Sequence, residues 1–372
     1  MNRQTVKPSN RQTFSLANGQ RKGAVTPPPS KSHLHRLLIA YFLAGGRDRL
    51  AYSPDDSADI AATRRCLQTL AGDTDEPVFD CGESGSTLRF MRPIAAALGK
   101  QPRYVLSGRL AKRPGIIYDT ISPGLHDLPG DVSSQFATGL LFALPLLQGD
   151  SEIRFTTPLE SRGYVDLTLS VLASCGIVIQ ETATGFLVPG GQHYALPASM
   201  TPERDWSGAS FWLAMNTLGS KIEVLGLADN SAQPDRRIVD LLAQTGGEKD
   251  MSQCPDIFPP LAIVAGAQGV VTRFTGVRRL RLKESDRIAS VADMLRKLGV
   301  VTDEEEDVFT VHGRGIPDPG GVELTTFGDH RIAMSAAVAA TAANGPLFID
   351  NPACAAKSYP GFFDAFAALE KA

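Results

Sequence analysis

An internal repeat constrains the fold of this chain more than any other feature of its sequence. Residues 172–188 and 295–311 share a Leu-x-x-x-Gly segment, a pair of β-branched residues after the glycine, and Phe-x-Val at the end, at identical spacing. A helix that stops at glycine and continues into a two-stranded hairpin explains this match better than chance. Two halves built from similar units predict two similar domains, with a cleft between them as the natural ligand site.

Helices and strands alternate along the rest of the chain. Apolar periodicity predicts helices at about 30–44, 58–70, 85–98, 134–147, 164–175, 207–218, 235–245, 284–298, 330–343 and 361–371. Short runs rich in β-branched and aromatic residues predict strands at about 23–26, 104–106, 152–155, 177–180, 186–188, 221–225, 270–275, 300–302, 308–311 and 347–350. The alternation predicts an α/β, or interleaved α+β, fold.

Composition favours a cytoplasmic globular protein. At about 150 residues per domain, a chain of 372 residues predicts two or three domains. The net charge of −3 argues against a nucleic-acid partner, which would require a strong basic excess. The five cysteines include no Cys-x-x-Cys pair, so neither a disulfide framework nor a zinc knuckle is expected. The N-terminus is polar, and no apolar run is long enough for a bilayer, so no membrane partner is expected.

The segment Arg281–Arg287 concentrates opposite charges where a predicted strand gives way to a predicted helix. Lys283 and Arg287 are four residues apart, so on a helix they would share a face, and Glu284 would lean toward Arg287. Free N–H groups in a first helical turn also favour anions. The segment is either an anion site that carries its own acid or a salt-bridged, solvated helix start.

A second basic helix start lies near the N-terminus. Lys31 and Arg36 follow a proline-rich stretch and would suit a phosphate or carboxylate, although simple capping by Ser32 explains the segment equally well. His33 and His35 are expected on the helix surface, and no H-E-x-x-H motif accompanies them, so no metal is predicted.

Similar helix starts recur in both halves of the chain. Hydroxyl, amide or cationic groups stand at Gly82–Arg89, Gly130–Gln135, Ser161–Tyr164 and Gly328–Arg331. Asp256 either caps a turn or belongs to the same site. One such segment alone is usually a cap, but this number predicts a cleft that binds small, multiply charged anions.

Taken in order, these segments resemble the enolpyruvyl transferase family, and most closely its EPSP synthase branch. The resemblance covers nearly the whole chain from Gly23, and its motifs are Pro28–Ser32 with Arg36, Gly82–Gly85, Lys112–Pro114, Val132–Phe136, Asp205–Ser207, Pro255-Asp256, Lys283–Arg287, Asp329–Arg331 and Lys357–Pro360. It implies two similar domains, each of repeated βαβαββ units, with the active site in the inter-domain cleft. The first domain would comprise residues 26–202, and the second residues 1–25 and 203–372.

The resemblance also implies a reaction. The family's enzyme moves the enolpyruvyl group of phosphoenolpyruvate to the 5-hydroxyl of shikimate 3-phosphate, without metal or cofactor, and a monomer is expected. By resemblance, shikimate 3-phosphate would be held by Lys31, Ser32, Arg36, Ser133, Ser134, Gln135, Ser161, Asp256 and Lys283. Phosphoenolpyruvate would be held by Lys31, Gly85, Arg113, Gln135, Arg287, Arg331 and Lys357. Glu284 would act as the acid and Asp256 as the base, with Lys31 stabilising charge.

The sequence departs from the family pattern at several places. The stretches after Leu70, between Arg113 and Ser133, and after Gly246 are short, and the middle one looks too short for the helix and strands of a repeat unit. That unit is expected to be distorted. Pro234 stands where the family has glycine, and Glu83 and Arg279 stand where members have asparagine.

Two alternatives follow from these departures and from the family itself. One is a catalytically weak or silent relative that binds ligands without turnover. The other is the sister transferase that acts on UDP-N-acetylglucosamine. The sister enzymes carry a reactive cysteine in a loop of the first domain, whereas the segment from Ser107 to Pro114 has none.

Overall fold

The computed structural model describes residues 13–113, 115–116, 118–197, 199–317 and 320–372. These residues form two hydrophobic cores. One core contains buried side chains between Leu37 and Tyr194, and the other combines Leu16 and Val25 with side chains between residues 206 and 369. The predicted mixture of helix and strand around two cores is confirmed. Residues 1–12, which the sequence assigns to the second domain, lie outside the described residues.

The secondary structure follows the predicted alternation. The strands are β1 Phe14–Leu16, β2 Arg21–Val25, β3 Val78–Gly82, β4 Arg103–Leu106, β5 Gly124–Leu128, β6 Ser151–Phe155, β7 Gln180–Glu181, β8 Gly185–Val188, β9 Lys221–Val224, β10 Gly247–Asp250, β11 Val271–Thr275, β12 Val301–Glu304, β13 Val308–His312, β14 Glu323–Leu324, β15 Leu347–Ile349 and β16 Glu370–Lys371. The helices are α1 Lys31–Leu43, α2 Ala58–Leu70, α3 Gly85–Ala97, α4 Ser134–Ala143, α5 Arg162–Ser174, α6 Trp206–Thr217, α7 Ile238–Ala243, α8 Phe258–Ala267, α9 Arg287–Lys297, α10 His330–Ala342 and α11 Phe362–Ala368. Within the described residues, no helix is both long and apolar enough to span a membrane.

The internal repeat is part of a larger βαβαββ unit that occurs once in each half. In the first half the unit runs β5-α4-β6-α5-β7-β8, and in the second half it runs β10-α8-β11-α9-β12-β13. The sheets have matching strand orders, β5-β6-β8-β7 and β10-β11-β13-β12. The first two strands of each unit are parallel because a helix connects them, and the final hairpin is antiparallel. The repeat predicted from short apolar segments is therefore confirmed.

The short stretch between Arg113 and Ser133 truncates a different unit. Strands β3 and β4 are parallel and are joined by α3, which makes the first half of a unit. Among the described residues between β4 and β5, only a 3₁₀ turn at Leu110–Lys112 is helical. The prediction that the stretch is too short for the helix and strands of that unit is confirmed for the described residues. Strand β5, which was not predicted, also lies in this stretch, but it pairs with β6 and begins the next unit. The unit that begins with β5 is thus intact.

The first two strands pair with the second half of the chain. β1 is antiparallel to β15, with Phe14 opposite Ile349. β2 lies between β9, to which it is parallel, and β16, to which it is antiparallel. The chain before residue 26 therefore contributes strands to sheets that are otherwise built from residues 221–371.

Three predicted helices differ from the structure. The helix predicted at 284–298 begins at Arg287, because the Asp286 side chain caps it by accepting a hydrogen bond from the Ala289 N–H at 3.1 Å. Lys283 and Glu284 thus precede the helix, and the prediction that they share a helical face with Arg287 is wrong. The helix predicted at 235–245 is a 3₁₀ turn followed by α7, and the one predicted at 361–371 ends at Ala368, before β16.

Candidate active site

A cavity between the two halves brings most of the predicted site residues together. Its lining includes Lys31, Ser32, Arg36, Gly85, Arg113, Ser133, Ser134, Gln135, Ser161, Asp256, Lys283, Glu284, Arg287 and Arg331. Lys357 lies immediately beside it, where its Nζ is 3.1 Å from Oδ1 of Asp59, which lines the cavity. Residues far apart in the sequence therefore line one highly charged cavity.

Four helix N-termini of the first half reach this cavity. Helices α1, α3 and α4 begin next to Ser30, Ser84 and Ser133, each of which caps its helix with its hydroxyl oxygen. Ser30, and not Ser32 as predicted, caps α1. Helix α5 begins after Ser161. Helix N-termini carry partial positive charge and unpaired N–H groups, so their convergence favours an anionic ligand.

Arg36 is a buried cation that has no acidic partner among the described residues. Its guanidinium donates to the Thr168 hydroxyl at 2.8 Å, to the Ser32 carbonyl at 2.6 Å and to the Tyr164 carbonyl at 2.9 Å. All of these partners are neutral, and burial lowers the pKa of Arg36 to about 9. A buried charge that is held only by neutral groups is costly, so this position favours a ligand that brings negative charge.

Arg287 is the centre of the charged groups in the second half. Its guanidinium contacts Asp256 at 2.9 Å, Glu284 at 2.8 Å and Asp329 at 2.9 Å, and the side chain is almost fully buried. Arg331 also contacts Asp256 at 2.9 Å. One buried arginine thus connects the predicted acid, the predicted base and the N-cap residue of α10.

The cations determine the charge of the two predicted catalytic carboxylates. Burial disfavours the ionised form of Asp256, but Arg331, Lys283 and Arg287 outweigh burial and hold its pKa well below the usual value. Burial also disfavours the ionised form of Glu284, but Arg287 and Arg113 outweigh burial and hold the pKa of Glu284 well below the usual value. Both carboxylates are therefore ionised in the ligand-free cleft.

Asp59 joins the two lysines of the predicted site. Lys31 of the first half contacts one carboxylate oxygen at 2.8 Å, and Lys357 of the second half contacts the other at 3.1 Å. Lys357 also donates to the Glu83 carbonyl at 2.9 Å. No sequence motif singled out Asp59, because its partners lie in other segments and meet it only in the folded chain.

Several contacts cross the cleft and hold the halves together. Arg113 lies 3.3 Å from Glu284, and the Tyr164 hydroxyl donates to Asp235 at 2.6 Å. Glycine at position 163 allows another close approach, since a Cβ there would lie 2.9 Å from the Pro234 side chain. The unusual Pro234 is accommodated because the residue opposite it has no side chain.

The sequence motifs contained other residues that contribute to the site. Arg89 donates to the Gln135 side chain at 2.5 Å, and the Gln135 amide donates to the Ser86 hydroxyl at 2.9 Å. Arg89, Tyr164, Arg279 and His330 also line the cavity. Each of these four stood inside or beside a segment that was already identified, but no role was assigned to it.

Burial lowers the pKa of two histidines and of Lys283. His35 is buried against Thr63, so the prediction that it lies on the surface is wrong; burial lowers its pKa to about 3. His330 is buried as well, and burial lowers its pKa to about 3. Burial also lowers the pKa of Lys283 to about 8, although Asp256 opposes the change. His330, which lines the cavity, is therefore neutral at neutral pH, and Lys283 has a pKa of about 8.

Taken together, this arrangement suits the binding of anions and proton transfer. Fixed arginines and lysines can neutralise phosphate and carboxylate groups, and two carboxylates lie among them.

Comparison with known proteins shows which family the chain is similar to. The chain matches the family model described as EPSP synthase (3-phosphoshikimate 1-carboxyvinyltransferase) over residues 114–249 and 243–366. A 3-phosphoshikimate 1-carboxyvinyltransferase from Clostridium kluyveri is 36% identical over 408 aligned positions, which cover 94% of this chain and 95% of the relative. One from Clostridium botulinum is 36% identical over 423 positions, which cover 96% and 97%. Both alignments have more positions than this chain has residues, so the relatives contain segments that it lacks.

A solved structure shows the same fold. The EPSP synthase from Acinetobacter baumannii superposes with a TM-score of 0.75 at 21% identity, over 97% of this chain and 98% of that one. The superposition extends over nearly the full length of both chains, so the fold is shared despite the shortened stretches.

Proposed function

The chain belongs to the EPSP synthase family, and we propose specific roles for its cleft residues in that family's reaction. The enzyme transfers the enolpyruvyl group of phosphoenolpyruvate to the 5-hydroxyl of shikimate 3-phosphate and releases phosphate, in the shikimate pathway of aromatic amino-acid biosynthesis. Both substrates are anions, so binding requires fixed cations in a cleft from which water is excluded.

Shikimate 3-phosphate is assigned to the helix N-termini of the first half. Lys31, Ser32 and Arg36 belong to the first turns of α1, and residues 133–135 and Ser161 stand at the starts of α4 and α5. Asp256 and Lys283 face them from the second half. The observation that supports this assignment most directly is the buried Arg36, whose neutral hydrogen-bond partners leave its charge for a substrate anion to balance.

Phosphoenolpyruvate is assigned to the cations around Glu284. Arg113 and Arg287 contact Glu284 directly, Arg331 contacts Asp256, and Lys31 and Lys357 share Asp59. Gly85 and Gln135 complete the set, and a Cβ at Gly85 would lie 3.3 Å from Arg113. Arginine suits these positions because its planar guanidinium group can bind a carboxylate or phosphate group through two hydrogen bonds.

Substrate binding would also prepare the acid and the base. In the ligand-free cleft, Glu284 and Asp256 neutralise the arginines and remain ionised. The phosphate and carboxylate of phosphoenolpyruvate would take over these cations, which raises the pKa of Glu284 and lets it carry the proton for the methylene carbon. Asp256 would accept the proton of the attacking hydroxyl, with Lys31 stabilising the developing charge.

Phosphate release is the experiment that tests this proposal. The purified protein is given phosphoenolpyruvate with shikimate 3-phosphate and, separately, with UDP-N-acetylglucosamine. We expect release only with shikimate 3-phosphate. Release with the nucleotide sugar would instead identify the sister transferase, and no release with either acceptor, despite heat stabilisation by shikimate 3-phosphate, would identify a catalytically silent binding relative.

The domain boundaries, oligomeric state and location belong to the same proposal. We infer a first domain of residues 26–202 and a second domain of residues 1–25 and 203–372, in a cytoplasmic monomer. The separation of the two cores and the pairing of β1 and β2 with second-half strands support these boundaries.

A further inference from the structure

Ser161 has an unusual backbone for a substrate-binding serine. Its φ of 58° lies in the left-handed region, and within the described residues only Phe327 among the other non-glycine residues has a positive φ. The side chain is buried. A residue with a Cβ adopts this conformation at an energetic cost, and it persists only where surrounding contacts enforce it.

Contacts from the second half of the chain hold Ser161 in this conformation. The Ser161 N–H donates to the Ser252 carbonyl at 3.1 Å. One guanidinium nitrogen of Arg279 donates both to the Ser161 hydroxyl oxygen at 3.0 Å and to the same Ser252 carbonyl at 2.6 Å. Arg279 also forms an ion pair with Glu160, the residue before Ser161. Arg279 therefore contacts the start of α5 through two groups, the Ser161 hydroxyl and the Glu160 carboxylate, and is itself anchored to the Ser252 carbonyl of its own half.

The contact with Arg279 also orients the Ser161 hydroxyl. Because the hydroxyl oxygen accepts from Arg279, its own hydrogen is available to donate. The alternative acceptor, the Ser252 carbonyl, lies 3.5 Å from this oxygen, which is at the limit of a hydrogen bond. Since Ser161 and Arg279 both line the cavity, the hydrogen can point to an anion there.

We propose that Arg279 is a positioning residue for shikimate 3-phosphate: it holds Ser161 in its left-handed conformation and turns the hydroxyl toward the substrate. This inference rests on the function proposed above. Some members of the family are expected to have asparagine at this position, so the arginine would give this chain a contribution to substrate affinity that depends on Ser161.

Replacement of Arg279 by methionine tests the proposal, because methionine retains much of the side-chain length but no hydrogen bonds. We expect KM for shikimate 3-phosphate to rise about tenfold, as loss of a charge-assisted hydrogen bond predicts, while KM for phosphoenolpyruvate and kcat stay within about threefold. Arg278→Met is the matched control. Arg278 also forms cross-half ion pairs, with Asp131 and Glu160, but it is half exposed and has no hydrogen bond to Ser161.

A double-mutant cycle separates action through Ser161 from other effects. If Arg279 acts through Ser161, the double variant R279M/S161A has the same KM for shikimate 3-phosphate as S161A alone. A full additional rise in the double variant would overturn the proposal, as would an equal effect of Arg278→Met. Arg279→Lys, which keeps the charge but loses the fork, should lie between the wild type and Arg279→Met.

Failure of this inference and failure of the proposed function give different results. Wild-type protein that releases no phosphate with shikimate 3-phosphate contradicts the proposed function. Wild-type protein that turns over, together with an unchanged KM in R279M, contradicts the positioning role alone. Thermal melting followed by circular dichroism shows whether each variant is folded. If R279M does not fold, Arg279→Lys replaces it in the cycle. An unchanged KM for shikimate 3-phosphate in Arg279→Lys then overturns the proposal.

Discussion

Arg287 shows how single residues define the chemistry of the cleft. It is buried and contacts three carboxylates, among them the two groups predicted to move protons, whose pKa values it helps to hold well below the usual range. We expect substrate anions to compete for the same guanidinium. Removing one charge from this cluster should therefore affect turnover more than the binding of shikimate 3-phosphate.

Replacing Glu284 by glutamine removes the predicted acid and keeps the side-chain shape. We expect kcat to fall by about 10²- to 10⁴-fold, which is the usual contribution of a general acid, while shikimate 3-phosphate still binds within about threefold of the wild type. Asp256→Asn should reduce kcat comparably. Single-turnover kinetics and calorimetric titration measure the two quantities, and unchanged turnover would contradict these roles.

Lys283 predicts a pH dependence for the affinity of shikimate 3-phosphate. Burial lowers its pKa to about 8, so the free protein loses this positive charge as the pH rises through that value. KM for shikimate 3-phosphate should be flat below pH 8 and should rise above it, because binding an anion must then restore the proton. Lys283→Arg keeps the charge and should extend the flat region, measured by initial rates from pH 6.5 to 10.

Because Gly163 packs closely against Pro234, we expect substitutions at these two positions to have coupled effects on stability. A Cβ at this position would lie 2.9 Å from the rigid ring of Pro234, so Gly163→Ala should lower the free energy of unfolding by about 1–3 kcal/mol. Pro234→Gly in the same chain should recover most of that loss. Gly269→Ala, where a Cβ meets no atom within 4 Å, is the control in chemical denaturation. Additive effects of the two substitutions would show that they do not interact.

Single residues were predictable where a motif marked them, and less so elsewhere. The cations at helix starts, such as Lys31 and Arg331, were found because chemistry and local structure coincide in a few consecutive residues. Asp59 was missed since Lys31 and Lys357 meet it through packing across the cleft. His35 was misplaced because the packing that buries it against Thr63 cannot be read from the spacing of α1 alone.

Among the elements, the helices were predicted better than the strands. Helices such as α2 and α10 carry long apolar periodicity and matched closely, whereas β10 consists of Gly247–Asp250 and has no apolar alternation. Helix α8 was missed because Pro259 and Pro260 look like helix breakers, although proline is tolerated in a first turn. The start of α9 depends on one capping side chain, which apolar periodicity does not reveal.

Asp286 gives a prediction at this scale, since it sets the start of α9 next to Arg287. Asp286→Ala should lower the free energy of unfolding by about 0.5–2 kcal/mol, the usual value for an N-cap, and Asp286→Asn should retain most of it. Asp286 also contacts Arg281 at 3.4 Å, and Arg281→Gln gives an upper limit for this ion pair because Arg281 also contacts Glu304 at 3.3 Å. Denaturant midpoints measure the differences, and a loss in Asp286→Asn as large as that in Asp286→Ala would contradict the capping role.

In the whole molecule, truncation of one repeat unit leaves the cleft intact. The missing helix and hairpin would follow β4, whereas Arg113 and the starts of α1, α3, α4 and α5 still reach the cavity. The repeat therefore predicted the architecture correctly, and the short stretch correctly predicted the truncated unit, whereas β5 was missed. Function can survive such a loss because the site is built from helix starts and loops at the cleft, not from the lost segments.

Residues of both halves line the cavity, so we expect shikimate 3-phosphate to stabilise both halves. At a concentration of 100 times Kd the free energy of unfolding should rise by about 2.7 kcal/mol. Both tryptophans, Trp206 and Trp212, lie in the second core, so their fluorescence reports that half, whereas far-ultraviolet circular dichroism reports the whole chain. The ligand should shift both thermal transitions upward, and a shift in only one signal would contradict a site shared by the halves.

The pairing of β1 with β15 has a consequence for biosynthesis. Residues 14–16 leave the ribosome early, but their partner strand at 347–349 is translated only after most of the chain. At about 5–20 residues per second, β1 waits roughly 15 to 70 seconds for its sheet. Residues 37–194 can pack their own core during that interval, whereas the second core closes only after residues 347–369 have been translated. Strand β1 therefore lacks its partner strand while the chain between them is synthesised.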